Sequence, residues 1–235
     1  MLRIYAREAD HLALVEAMAS FSKPNTQAAA QVLSRPQLPV WYDLVNPQAA
    51  ENGAVEARFA ISIPTRDEME EIELSARLYY EDGADFMTIT ALTGLEGDDP
   101  SKTPITFVLK DACLVTIRYA EHKPFDIFAS RVQRSNGVGA SSAAGESVMI
   151  GLLEALIDRM ADTLERLANE IDGISRDVFR NKAANATKKT RDLQSLIEQI
   201  GRKGDFLSMV RESLVSIARL TAYHLALETD ARKIS

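Results

Sequence analysis

The sequence predicts an α/β unit, with a mixed and partly antiparallel sheet flanked by short helices, followed by a long antiparallel helical hairpin. Three observations carry this expectation. Before residue 120, short β-branched and aromatic runs alternate with polar or helical stretches. Over residues 135–145 (SNGVGASSAAG) the composition turns small and glycine-rich, the pattern of a boundary. Beyond it, apolar residues recur at steps of three and four along two long segments. The α/β unit is assigned to residues 1–140 and the hairpin to 141–235.

Residues 2–6 read as a first strand, and residues 10–19 have helical composition. A loop with three prolines follows over residues 20–39. The run VWYDL, residues 40–44, is a strand by its aromatic and β-branched content. Asn46 as N-cap with Pro47 at the first helical position opens a short helix to about Phe59. Thr65 and Glu68 make the capping box Thr-x-x-Glu, which starts another helix. Residues 77–80 and 85–92 are strands about a turn containing Asp82-Gly83. Residues 105–109 and 113–119 form a hairpin about Lys110-Asp111-Ala112, bringing the candidate strands to six.

In the second unit Met149, Leu153, Leu156, Met160, Leu164, Leu167, Ile171, Ile174 and Val178 make one apolar seam. It implies a helix about 45–50 Å long. Lys182, Lys188 and Lys189 interrupt the pattern, which resumes at Leu193, Leu196, Ile200, Leu207, Val210, Leu214 and Ile217. Two such helices with a short polar connection fold back on each other, so the first is expected to pack mainly on the second. Gly201 and Gly204 each weaken the second helix by about 1 kcal/mol, which predicts close packing or a bend there.

Composition narrows the function classes. The 235 residues carry 34 acids against 27 bases, a net charge of −7, with no Lys/Arg block. That excludes a nucleic-acid partner, whose phosphates call for clustered bases. The lone Cys113 forms no intrachain disulfide and points to a reducing compartment. Nothing at the start resembles a signal peptide, and the longest apolar stretch, residues 148–157, is broken by Glu154 and too short for a bilayer. The chain as given is therefore expected to be soluble. His11, His122 and His224 fit no metal-ligand spacing, and no nucleophile elbow, P-loop or dinucleotide fingerprint occurs. An enzyme is not expected.

The densest chemical feature is PTRDEMEEIELSAR, residues 64–77, with five carboxylates in the seven positions 67–73. Asp67 and Glu68 complement the dipole of a helix start. Asp67, Glu70 and Glu71, at i, i+3 and i+4, would share a face where like charges cost about 0.2–0.5 kcal/mol per pair. Met69 and Ile72 would anchor the helix to the sheet. Such a face is either simply solvated or half of a site for a hard divalent cation, which takes oxygen ligands.

The segments VWYDLVNP, IPTRDEMEEIELSARLYYEDGADFMTIT, ITFVLKDACLVTIRY and LLEALIDRMADTLERLANEID, in that order, resemble the cytoplasmic part of the CorA-type magnesium transporters. The resemblance covers nearly the whole chain. It implies an α/β domain followed by long helices, the last of which runs into the membrane as pore lining. It also implies a homopentamer on the cytoplasmic side of the inner membrane, gated by regulatory Mg²⁺ held between neighbouring subunits. The family's acidic pair in a Leu-acid-acid-Ile context is matched by Met69-Glu70-Glu71-Ile72, whereas spacing from Pro64 favours Glu68. A further regulatory acid, four residues before an Asp, lands on Glu154 ahead of Asp158. The resemblance thus implies Glu70, Glu71 and Glu154 as metal ligands, with Glu at two positions where well-known members have Asp. The family's Gly-Met-Asn tripeptide and two transmembrane helices do not occur in these residues, so membrane attachment is expected only through helices beyond them. Two rivals stay open: the same domain of a Zn²⁺-transporting relative, and a freestanding interaction protein whose helical hairpin is its partner surface.

Overall fold

A computed structural model describes residues 1–8, 11–18, 39–97, 99–134, 144–180 and 186–234. Seven strands make one sheet: β1 (Leu2–Glu8), β2 (His11–Met18), β3 (Pro39–Val45), β4 (Leu78–Glu81), β5 (Ala84–Thr93), β6 (Ser101–Lys110) and β7 (Cys113–Arg118). Their order is β2-β1-β3-β7-β6-β5-β4. Every neighbouring pair is antiparallel except β3 and β7, which run parallel at the centre. Asp82 and Gly83 both have positive φ (51° and 74°), as the tight Asp-Gly hairpin between β4 and β5 requires. The helices are α1 (Ala49–Phe59), α2 (Arg66–Glu70), α3 (Leu74–Arg77), α4 (Lys123–Val132), α5 (Gly145–Arg180) and α6 (Ala186–Ile234).

Three local expectations change. Residues 11–18 are a strand and not a helix. They pair along β1 from Glu8↔His11 to Leu2↔Met18, and this edge pairing overrides a helix-compatible composition. Asn46 does not cap α1. It turns left-handed (φ 44°) and donates its N–H to Arg118 O, prolonging the β3–β7 pairing, so Gln48 becomes the N-cap. Helix α4 was not anticipated, although Phe125, Phe128, Ala129 and Val132 give it a buried face at helical spacing. The boundary segment 135–143 and most of the proline loop lie outside the described residues.

Alternation along the strands sorts the core into two layers. Phe86, Val108, Val115 and Ile117 face α1 and α2, meeting Val55, Phe59 and Met69. Met87, Phe107, Leu114 and Trp41 face the other way, towards Phe125 and Phe128 of α4, Met149 to Met160 of α5, and Val210, Ile217 and Leu220 of α6. The α5 seam therefore packs mainly on α4 and the sheet, with α6 alongside, and not mainly on α6 as its spacing suggested. Gly151 lets α5 approach closely, because a Cβ there would lie 2.3 Å from the Phe128 ring. The hairpin is antiparallel, tied by His224–Glu146 at one end and the Lys203–Glu170 ion pair towards the other. Among the described residues Leu167 is the last buried one on α5; Ile171 is 41% exposed, and Leu193, Ile200 and Leu207 of α6 are also exposed. Past the sheet only one helix remains to cover the other. Gly201 and Gly204 sit in this open stretch, where an added Cβ would meet nothing and α6 runs through unbroken.

One polar network is sealed inside. Trp41 Nε1–H donates to Thr116 Oγ1, and the Thr116 hydroxyl donates to Asp43 Oδ1, each at 2.9 Å. Arg118 grips both Asp43 oxygens, Nε at 3.0 Å and Nη2 at 2.8 Å, and lies over the Phe125 ring. Beside it, buried His122 bonds Thr103 Oγ1 through Nε2 and Ala120 O through Nδ1. Burial, then the Arg118 charge, push the His122 pKa from 6.5 down to about 4. The unfolded chain binds that proton between these values and the folded chain does not. Stability should therefore be intact above about pH 6.5 and fall as pH drops towards 4, by about 3 kcal/mol in all. Urea unfolding from pH 7 to 5 checks this: His122→Gln should flatten the slope, and an unchanged slope would contradict a buried neutral imidazole.

Candidate functional site

The acidic segment begins as its sequence implies. Thr65 Oγ1 accepts from Glu68 N–H at 3.3 Å, while the Glu68 carboxylate accepts from Thr65 N–H at 2.7 Å and from its hydroxyl at 2.9 Å. These bonds from the Thr65 backbone and then its hydroxyl hold the Glu68 carboxyl below the usual range. The helix then stops after five residues. Glu71 is the C-cap, its N–H donated to Glu68 O, and its ψ of 143° turns the chain off the helical path from Ile72 onward. Glu70 is paired with Arg66 at 3.0 Å. Met69 anchors the segment as expected, but Ile72 is 90% exposed and anchors nothing. Its direction follows from the lost helical turn.

Arg77 ends the segment. Its Nε donates to Glu71 O, and Nη1 donates to Thr90 Oγ1 at 2.8 Å. Here the sheet has a gap in its edge. Strand β4 pairs only with residues 84–87 of β5, leaving the rest of that edge to α6. Ser216 fills the place of a strand, its Oγ accepting Thr90 N–H at 3.0 Å. Between the α2–α3 segment, this edge and α6 lies an open groove of about 700 Å³, with Glu70 at one wall.

Glu154 is exposed on α5, which covers the opposite face of the sheet from α2. One chain thus keeps Glu70 and Glu71 apart from Glu154. Among the described residues no group of three or more His, Cys, Asp or Glu side chains is placed to hold a metal ion. No described helix is long and apolar enough to cross a membrane. The Asp43–Arg118 pair, and the groove itself, went unread in the sequence. A single Asp in VWYDLV and a single Arg in VTIRY, each inside a buried strand, were the available signal for the pair.

The profile of a family described as CorA-like Mg2+ transporter protein matches residues 37–234. The magnesium transport protein CorA of Wolinella succinogenes is 27% identical over 239 residues, covering 100% of this chain and 67% of that protein. Its counterpart in Campylobacter jejuni is 30% identical over 195 residues, covering 78% of this chain and 58% of the relative. The chain thus spans between about half and two thirds of the length of the curated relatives it matches. The soluble domain of CorA from Methanocaldococcus jannaschii shares the fold, with a TM-score of 0.51, 13% identity, and coverage of 84% of this chain and 91% of that one.

Proposed function

Because the chain belongs to the CorA-like Mg2+ transporter family, we propose that it is the cytoplasmic, cation-sensing part of a divalent-cation transporter that assembles as a homopentamer. The observation that carries this reading is the family match over residues 37–234, which takes in the acidic segment, most of the sheet and both long helices. The path for the ion would belong to sequence outside these residues. In this reading Glu70 and Glu71 of one subunit and Glu154 of the next share a regulatory Mg²⁺. Exposure of all three, and their separation within one chain, suit a site completed by a neighbour. Mg²⁺ retains several waters, so few carboxylates suffice and the affinity should be millimolar.

Thermal melts test it. Mg²⁺ should stabilise the chain by about 1.4 kcal/mol at ten times the dissociation constant, and more at higher protein concentration. Glu70→Gln with Glu71→Gln should abolish that gain. Without metal the double variant should lose less than about 0.5 kcal/mol, since Arg66–Glu70 is an exposed pair. Equal responses to MgCl₂ and to NaCl at matched ionic strength would leave the carboxylates as a merely solvated surface.

A further inference from the structure

We infer that the groove between the α2–α3 segment, the free edge of β5 and α6 is a binding site for a phosphate-bearing anion. Its charges decide the ligand class. The two acids in its wall are already matched, Glu70 by Arg66 at 3.0 Å and Glu212 by Lys102 at 2.6 Å. Three guanidinium groups remain. Arg77 is held by a carbonyl and a hydroxyl, neither of which cancels its charge. Arg211 and Arg219 have no carboxylate partner among the described residues.

Helical spacing puts Arg211, Val215 and Arg219 at i, i+4 and i+8, so α6 presents both guanidinium groups along one wall. Arg77 enters from the facing wall. Burial, and then the charge of Arg219, hold the Arg77 pKa below its ordinary value, so the two cations sense each other across the groove. Like charges converging on a concave, partly desolvated space are relieved by an anion. Guanidinium forks match phosphate oxygens through paired, charge-assisted bonds. The hydroxyls of Thr90 and Ser216 line the same space. A volume of about 700 Å³ admits more than a single inorganic ion, and its mixed wall, with Val215 and Leu74, would accept an organic portion beside the phosphate.

Calorimetric titration of the 235-residue chain with inorganic pyrophosphate, in Mg²⁺-free buffer of fixed ionic strength, tests the site. Saturable binding is expected, weakened about tenfold or more by Arg219→Gln or Arg211→Gln, each of which removes one exposed charge-assisted contact. Arg134→Gln, which removes an exposed charge outside the groove, should bind like the parent. A second arm uses vesicles containing phosphatidylglycerol. Co-sedimentation that depends on Arg219 would assign the phosphate to a lipid headgroup instead of a free solute. Loss of affinity as large in Arg134→Gln, or no saturable binding in either arm, would overturn the proposal. So would self-association dependent on Arg211 and Arg219 without phosphate binding, which would make the groove a seat for another copy's acids. Because Mg²⁺ is absent, failure here leaves the carboxylate reading untouched.

Discussion

Replacing Asp43 with alanine should destabilise the fold by about 3–5 kcal/mol, the cost of removing the buried partner of a buried charge and leaving it only the exposed Glu121, 3.2 Å from Nη1. Both members of the pair are sealed, Asp43 at 1% and Arg118 at 0% exposure. Burial works against the Arg118 charge, but the Asp43 carboxylate, with Glu121 and Asp126 adding to it, holds the guanidinium pKa above its ordinary value. Removing that carboxylate strips two bonds from Arg118 and the acceptor from Thr116 in one step. Asp43→Leu with Arg118→Met should cost less than Asp43→Ala alone, because no uncompensated charge is left. Urea denaturation gives both values. A loss below 1 kcal/mol for Asp43→Ala would mean that water reaches Arg118 and that the network is not sealed.

Met160→Asp should cost about as much, through a different mechanism. Met160 is 3% exposed, and the void beside it, lined by Ile89, Leu156 and Ile217, measures about 10 Å³. That is at the lower limit for one water, so a carboxylate there would be poorly hydrated, with only the Ser213 hydroxyl and Arg159, already paired with Glu96, on the same wall. A loss of several kcal/mol is expected in chemical denaturation, against less than about 1.5 kcal/mol for the volume-conserving Met160→Leu. Ile197→Asp on the outer part of α6, where the side chain is 69% exposed, should stay within about 0.5 kcal/mol. If Met160→Asp melts within a degree or two of the parent, α5 does not seat on the sheet.

The contrast between Met160 and Ile171 shows where the sequence stops being informative. Both sit in the same three-four pattern, which reports a helix with one apolar face. It does not report how far a partner extends. The loop after β5 and the facing part of α6, with Leu95, Phe206 and Met209, reach as far as Leu167, and Ile171 beyond it is exposed while the pattern continues. Residues 11–18 show the converse. Their composition suits a helix, but a neighbouring strand with free backbone groups decided the outcome. The acidic segment divides in the same way. The Thr65–Glu68 box formed because its partners are three residues apart, whereas Ile72 as an anchor needed a further helical turn that the chain does not make.

What the sequence determined by itself is therefore local or periodic: the hairpin turns, the capping box, β1 and the strands from β3 to β7, the two long helices, and the family resemblance that rests on their order. What only the tertiary structure decided is which distant charges meet. Asp43 and Arg118 are 75 residues apart, and the parallel register of β3 with β7 joins them. Arg77 and Arg219 are far apart in the chain, and no cluster of bases marks them in the sequence. They converge because α6 covers the edge of β5 that β4 leaves open. Charge on a surface is set by composition, but the field in a groove is set by which walls the fold brings together.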